Sequence, residues 1–503
     1  MTTPTYDIVV IGGGINGAGV ARDAAGRGYR VLLAERDDYA AATSSASSKL
    51  VHGGIRYLEH GEFRLVRESL HERAALLAIA PHLVAPLRFL LPITKSQPRP
   101  AWMVSLGLTL YDVLAGRHRL SGTGRLTPEA TAELGELRTE ATTAILHYPD
   151  CWTDDARLTL CTLLDARQRG ADIRNRCEAI AVVPTEAGFH IELQHRGTLT
   201  TVTARAVVNA SGPWADRLLQ RVEGRASSPV RLRLVRGSHI VVAARPDARP
   251  EAYTLQHDDG RVVFVIPWLD GRFRIIGTTD VPHDADPTAA QCTPEERDYL
   301  IGVHNRYFRR PIAAGDVIWS WSGVRPLVDD GSDRPSKVTR DFRLQVEAHG
   351  KTALVTIFGG KLTTHRVLAE RVLAALEPAL GFRRKPWTAH EPITGGDLPI
   401  DRHAALAASG PMYLAPKLRS RWVATYGSVA AELFEAVRQR PSLSREIAPG
   451  ICEAELRHAS SREDAVTADD FLYRRTKTFI DLDAAGRNAV RRWFGEEDAE
   501  AAA

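Results

Sequence analysis

The chain has 503 residues, 44% of them hydrophobic and 25% charged, with a net charge of +4. That length holds two or three domains around a sizeable core, and the charge is too small to indicate a nucleic-acid binder. Five scattered cysteines without a C-x-x-C pair argue against zinc, iron–sulfur and disulfide frameworks, so no metal is expected.

Met1 leads into a strand within a few residues, so no signal peptide is expected and a reduced, cytoplasmic setting fits. No apolar run reaches the roughly 20 residues that span a bilayer. Ile8 to Ile11 is unbroken and apolar, as a parallel strand buried on both faces should be. Gly12, Gly14 and Gly17 follow in G-x-G-x-x-G spacing. The first permits a tight turn, the second admits a pyrophosphate and the third lets the helix pack close to the strand. Ala18, Ala21 and Ala25 line that helix, Gly28 ends it, and Arg30 to Ala34 reads as a second strand. Glu35 closes the strand where a ribose hydroxyl needs an acceptor, with Arg36 beside it. An acid there favours FAD or NAD over NADP. A glycine-rich turn in an unrelated α/β protein is the competing reading. The ordered strand, turn, helix, strand and acid favour a dinucleotide with its phosphates on the helix N-terminus.

Residues 43 to 59 crowd serines, a lysine and a glycine pair just past Glu35. This is either a polar surface loop or a loop laid along a cofactor. In the second case Ser47, Ser48, Lys49 and His52 meet the cofactor. Gly53 and Gly54 let backbone touch a flat ring, and Arg56 and Tyr57 project into the site beyond. Eight of the 65 basic residues are lysines, so a lysine within a motif, such as Lys49 or Lys361, is more informative than usual.

The run Ser47-Ser-Lys-Leu-Val-His-Gly-Gly-Ile-Arg-Tyr-Leu-Glu59 resembles the signature of the FAD-dependent glycerol-3-phosphate dehydrogenases, the respiratory, quinone-linked kind of aerobic bacteria. Later segments resemble the same family over nearly the whole chain. The resemblance implies an α/β fold. A doubly wound FAD-binding domain of the D-amino-acid-oxidase type is interleaved with an antiparallel-sheet substrate domain, and a helical C-terminal domain follows. The expected oxidoreductase region is 1–389, with FAD-binding segments about 1–85, 145–230 and 340–389 and substrate segments about 86–144 and 231–339; the C-terminal domain is 390–503. The family further implies FAD as cofactor and glycerol 3-phosphate as substrate. It implies a membrane quinone as acceptor and peripheral attachment to the inner face of the cell membrane. A homodimer is left open.

Residues 62 to 119 mix apolar stretches with prolines and basic residues. They read either as core-facing helices or as a surface dipped into lipid headgroups, and the resemblance raises the second reading. Leu158 to Arg169 has helical spacing, and Ala179 to Val183 and Ala206 to Val208 are β-rich. The corner after them, with Ala210 and Gly212, returns the chain to the FAD phosphates in the resembling family. Residues 231 to 330 are strand-rich and carry His239, Thr278 and Arg325, followed by Arg340. A lone strand histidine is usually structural; the resemblance places His239 near the substrate. Ala353 to Phe358 reads as a buried strand, followed by Gly359, Gly360, Lys361, Leu362, Thr363 and a helix. A helix N-terminus there would stabilise charge on a reduced flavin.

A phosphate ester of a secondary alcohol needs several fixed cations and one proton acceptor. Arg56, Arg325, Arg340 and Lys361 are the candidate cations, Tyr57 and Thr278 the neutral donors, and His239 the first choice of base. A rival oxidase using oxygen usually carries an insertion not seen in this length. An amino-acid oxidase needs mainly one arginine, and an idle FAD scaffold would bind partners through residues 390–503. Beyond 390 the sequence is helical and charged. Thr467 to Asp470 reads as a capping box with aspartate in place of glutamate, and Arg474, Arg475 and Lys477 read as a solvated face.

Overall fold

The computed structural model describes residues 5–95, 97, 99–118, 120, 122–140, 142–223, 230–329, 341–349 and 351–498. The apolar strand Thr5–Ile11 lies inside a sheet of order 343–349, 352–358, 198–209, 5–11, 31–34 and 172–174. All neighbours are parallel except the first pair. Alternation along the strand serves two layers. Ile8 and Val10 pack on the helices Ile15–Gly26, Asp155–Gln168 and His365–Leu380. Val9 and Ile11 pack on an antiparallel meander, Cys177–Thr185 with Gly188–His195 and the first half of Thr198–Asn209. Two glycines make the turn after the strand possible. Gly12 has φ +116°, and a Cβ on it would stand 2.5 Å from the Ala210 carbonyl oxygen. A Cβ on Gly17 would stand 2.0 Å from the Gly12 carbonyl oxygen, so only glycine lets the helix lie this close.

The second sheet is mostly antiparallel. Its long strands are Leu232–Ala243, Val317–Val328, Val84–Thr94 and Thr142–Thr153. Helix Pro294–Tyr307 covers one face. Helices Phe63–Ile79 and Ala101–Ala115, with part of the C-terminal region, cover the other. The reading of residues 62–119 as helices holds for these two helices but fails at Val84–Thr94, a strand containing Pro86 and Pro92. The prolines are tolerated because this strand pairs along its length only with Thr142–Thr153. On its other side only Phe89 and Leu90 are paired.

The C-terminal region packs short helices, among them Pro416–Tyr426, Ala430–Gln439 and Glu453–Arg462, around Trp422, Leu433 and Phe434. The Thr467–Asp470 box forms with aspartate. Asp470 N donates to Thr467 Oγ1 at 3.1 Å, and Thr467 N donates to Asp470 Oδ2 at 3.0 Å. The turn that follows is π-helical, Asp470–Thr476, and its cations do not face solvent. Arg475 Nη2 donates to Asp38 Oδ1 at 2.8 Å, Arg474 reaches the same carboxylate, and buried Lys477 pairs with Asp154. Burial would raise the Asp38 carboxyl, but the Arg475 and Arg474 guanidiniums outweigh it and hold it at about 2. The solvated-face reading is therefore overturned: Asp38, 436 residues from Arg474, and Asp154, 323 residues from Lys477, require these cations.

Candidate active site

Two cavities flank the segment that carries the chain from the parallel sheet to the antiparallel one. The first is a cleft at the carboxyl ends of the parallel strands, where doubly wound sheets bind ligands. Gly12, Gly14, Glu35, Arg36, Ser47, Ala210, Gly212, Gly359, Gly360 and Leu362 all line it. Gly17 sits behind it in the helix packing. The Glu35 carboxylate accepts from Gly13 N at 2.6 Å and Asp37 N at 2.8 Å. Burial pushes its pKa up against those two amides. The Arg36 guanidinium lies 4.2 Å from the Trp214 ring centroid, forming one wall.

Three further residues of this cleft were not among the residues expected from sequence to meet the cofactor. Ser44 Oγ accepts from Ile15 N at 2.9 Å, at the helix N-terminus. Asn16 Nδ2 donates to Gly359 O at 3.1 Å, while its Oδ1 is buried without a partner. Trp214 is the third. For Ser44 the serine cluster was a signal; for Asn16 the only one was a polar residue inside the glycine turn. The residues fit a dinucleotide with a flat ring. A helix N-terminus opens on the cleft, an acid closes the second strand, and an orphan acceptor faces Gly359 and Gly360, whose φ values are +78° and +99°.

Lys49 and Ser48 lie elsewhere. Lys49 is buried, with φ +56°, and its ammonium donates to Asp155 Oδ1 at 2.8 Å and Ser45 O at 3.0 Å. Ser47 Oγ donates to the same Asp155 at 2.7 Å, so both side chains tie the loop to the start of helix Asp155–Gln168. Thr363 is buried, and its Oγ1 accepts from His52 N at 3.3 Å.

The second cavity, about 160 Å³, brings together residues distant in sequence: Ser48, His52, Gly54, Arg56, Tyr57, Thr278 and Arg325 all line it. Gly53 adjoins it, its N–H donating to the Tyr111 hydroxyl at 2.9 Å. Arg325 pairs with Asp280 and donates to Thr278 Oγ1 at 2.9 Å. The Lys361 ammonium stands 3.6 Å from the Tyr57 ring centroid. Arg340 lies outside the described residues. His239 is buried and does not line the cavity. Its Nε2 is 2.8 Å from Ser48 Oγ, and its ring stacks on Trp321 at 4.8 Å. Burial, then the charges of Arg325 and Lys49, hold its pKa well below the usual imidazole range, so the ring is neutral at pH 7. Glu62 also lines the cavity, and no pattern in the sequence marked it.

A parallel sheet with a glycine-turn cleft, joined to an antiparallel sheet with a cation-lined cavity beside the flat-ring end, defines a flavin-dependent oxidoreductase. Residues 7–366 match the FAD dependent oxidoreductase family, and residues 386–494 match the C-terminal domain of alpha-glycerophosphate oxidase. The glycerol-3-phosphate dehydrogenase of Pseudomonas aeruginosa is 43% identical over 98% of this chain and 95% of the relative. The D-erythritol 1-phosphate dehydrogenase of Brucella abortus is 42% identical over 97% of this chain and 98% of the relative. The crystal structure of the Bacillus halodurans glycerol-3-phosphate dehydrogenase complexed with FAD superposes with TM-score 0.79 at 29% identity, covering 98% of this chain and 90% of that one. The chain belongs to the FAD-dependent oxidoreductases and, among them, to the glycerol-3-phosphate dehydrogenase family.

Proposed function

We propose that the protein oxidises sn-glycerol 3-phosphate to dihydroxyacetone phosphate. The observation that carries this is the convergence of Arg56, Tyr57, Thr278 and Arg325 in one cavity beside the cofactor cleft. Bound FAD supplies the hydride acceptor. The chain supplies the rest. Arg56 and Arg325 hold the phosphate, and Lys361 adds positive charge at the Gly359–Gly360 end. Ser48 Oγ lines the cavity and touches Nε2 of the neutral His239 ring, so the proton of the substrate hydroxyl passes at Ser48 toward His239. Anaerobic addition of glycerol 3-phosphate to the purified flavoprotein should bleach the flavin. An unbleached flavin would end this reading.

The relative that acts on D-erythritol 1-phosphate supports a second reading, oxidation of a four-carbon polyol phosphate. Comparing the apparent affinities of the two substrates in the same bleaching experiment decides between them.

Electrons then pass to a membrane quinone, with the protein held at the inner membrane face. No helix among the described residues is long and apolar enough to cross a membrane. Helix Ala101–Ala115 does expose Trp102, Leu106 and Val113, at 68%, 65% and 69%. Arg99 precedes it and Arg117 follows it, the pattern of a helix lying in a headgroup layer. Binding to anionic vesicles should therefore fall with salt and with Trp102→Ser. Equal recovery in the supernatant with and without vesicles at low salt would exclude attachment.

A further inference from the structure

The substrate cavity contains more charge than phosphate recognition requires, and most of it is already paired. Arg325 is neutralised by Asp280. Asp150 is neutralised by Arg73 and also accepts from the Tyr111 hydroxyl. Two opposite charges remain. Among the described residues the Arg56 guanidinium has no hydrogen bond or ion pair, and Glu62 Oε2 is buried with no hydrogen-bond partner. Both come from one short stretch, the turn Ile55–His60 and the residue that caps helix Phe63–Ile79. Glu62 does not cap that helix through its side chain, so the carboxylate has no local task.

A buried acceptor left unpaired is costly, and a carboxylate more so than a neutral group. A ligand that satisfies both groups has an anion at one end and neutral O–H donors at the other. A polyol phosphate ester has that arrangement. Its oxidised analogue, with a carboxylate in place of the terminal hydroxymethyl, would set a second anion against Glu62. Resting on the activity proposed above, we infer that Glu62 determines specificity. It accepts hydrogen bonds from the hydroxyl end of the substrate and rejects phosphorylated hydroxy acids of the same length. Attraction for one ligand and repulsion of another then reside in a single side chain.

The test uses the FAD-loaded enzyme with Glu62→Gln and Glu62→Asp. Two quantities are measured: the apparent affinity for glycerol 3-phosphate from anaerobic flavin reduction, and the inhibition constant of 3-phosphoglycerate. Glu62→Gln should weaken glycerol 3-phosphate about tenfold, as expected for losing a hydrogen bond to a charged acceptor. It should strengthen 3-phosphoglycerate about tenfold or more by removing the repulsion. Glu62→Asp keeps the charge with a shorter reach. It should weaken glycerol 3-phosphate and still reject 3-phosphoglycerate, which keeps the test informative if the glutamine variant folds poorly. A structural role would move both constants in the same direction, and that outcome, or no movement of either, overturns the assignment. A wild-type flavin that glycerol 3-phosphate does not reduce would overturn the activity and this assignment together; a reduced wild type with an unchanged ratio in Glu62→Gln removes Glu62 alone.

Discussion

The loop 37–49 meets different physics on its two sides. Toward the cleft it faces backbone: the turn at Gly12, the amide of Ile15 capped by Ser44, and Ala40 N donating to Gly13 O at 3.1 Å. Toward the C-terminal region it faces side-chain charge. There Asp38 is bracketed by Arg474 and Arg475, Asn175 Nδ2 donates to Asp38 Oδ1 at 3.3 Å, and Tyr39 donates to Asp464 at 2.9 Å. The first side depends on the absence of side chains and the second on their presence. The cleft side leaves room for a ligand, and the far side fixes the position of the wall.

The largest effect should come from filling the cleft side. A Cβ on Gly14 would stand 3.0 Å from Ser44 Oγ, and the two further methyls of Gly14→Val would project toward the pyrophosphate path. The variant should purify colourless, as judged by its visible absorbance. A yellow, FAD-loaded Gly14→Val would show that the glycine turn does not carry the phosphates.

Breaking the far side should act on stability first. Arg475→Met leaves Asp38 buried with one partner fewer, at a cost of about 3–5 kcal/mol. The melting temperature should fall and FAD release should accelerate together, because the same loop forms the cleft wall. Loss of stability with unchanged FAD retention would separate the two sides.

Lys361 tests charge against shape at the flat-ring end of the cleft. Lys361→Ala should keep its FAD and its melting temperature but lose about 2–4 kcal/mol of transition-state stabilisation, roughly 10²–10³ in the flavin reduction rate. Lys361→Arg should rescue poorly, since a broad guanidinium does not fit where a compact ammonium sits over Tyr57. Stopped-flow reduction of the three proteins distinguishes these outcomes; near-wild-type reduction by the alanine variant would remove Lys361 from the site.

Acid should act through buried titratable groups, His82 and Asp38 among them. His82 is buried where the C-terminal region meets the oxidoreductase core, beside Gly395 and Gly427. Burial, then the charges of Arg157 and His403, lower its pKa to about 3, with Asp154 opposing them. A histidine whose folded pKa is depressed contributes stability that is present above the unfolded value near 6.5 and is lost as pH falls toward 3. About 2 kcal/mol should be gone by pH 5. The Asp38 carboxyl, held at about 2, should add a second loss below roughly pH 4. Urea midpoints from pH 7 to 3 should show both phases, and His82→Gln should flatten the first. A midpoint independent of pH between 7 and 5 would contradict the His82 assignment.

How much of this was legible follows from how far each signal travels along the chain. The strand–turn–helix–strand unit of residues 5–35 is local. Gly17 answers to the carbonyl of Gly12 within its own turn, so the spacing declared the unit even though Gly12 also answers to the distant Ala210 carbonyl. The apolar runs 206–208 and 353–358 were legible for the same reason, since an apolar run needs only its own residues to be read, but the exposed first half of strand Thr198–Asn209 was not. The cations of the C-terminal turn were not, because nothing near Arg475 in sequence announces Asp38, and burial reverses what an arginine on a helix usually means. His239 was placed by resemblance near the substrate; the structure sets it one hydroxyl behind the cavity, on Ser48. Lys49 reads from its motif as one of the residues that meet the cofactor; the structure buries it against Asp155, a partner brought to it by the fold. Glu62 had no signal at all. Its meaning arises only when Asp280, from a distant loop, and Arg73, further along its own helix, neutralise Arg325 and Asp150 and leave its carboxylate open. Local backbone requirements are written in local sequence, whereas the pairing state of a charge is decided by whichever distant residues packing brings within reach.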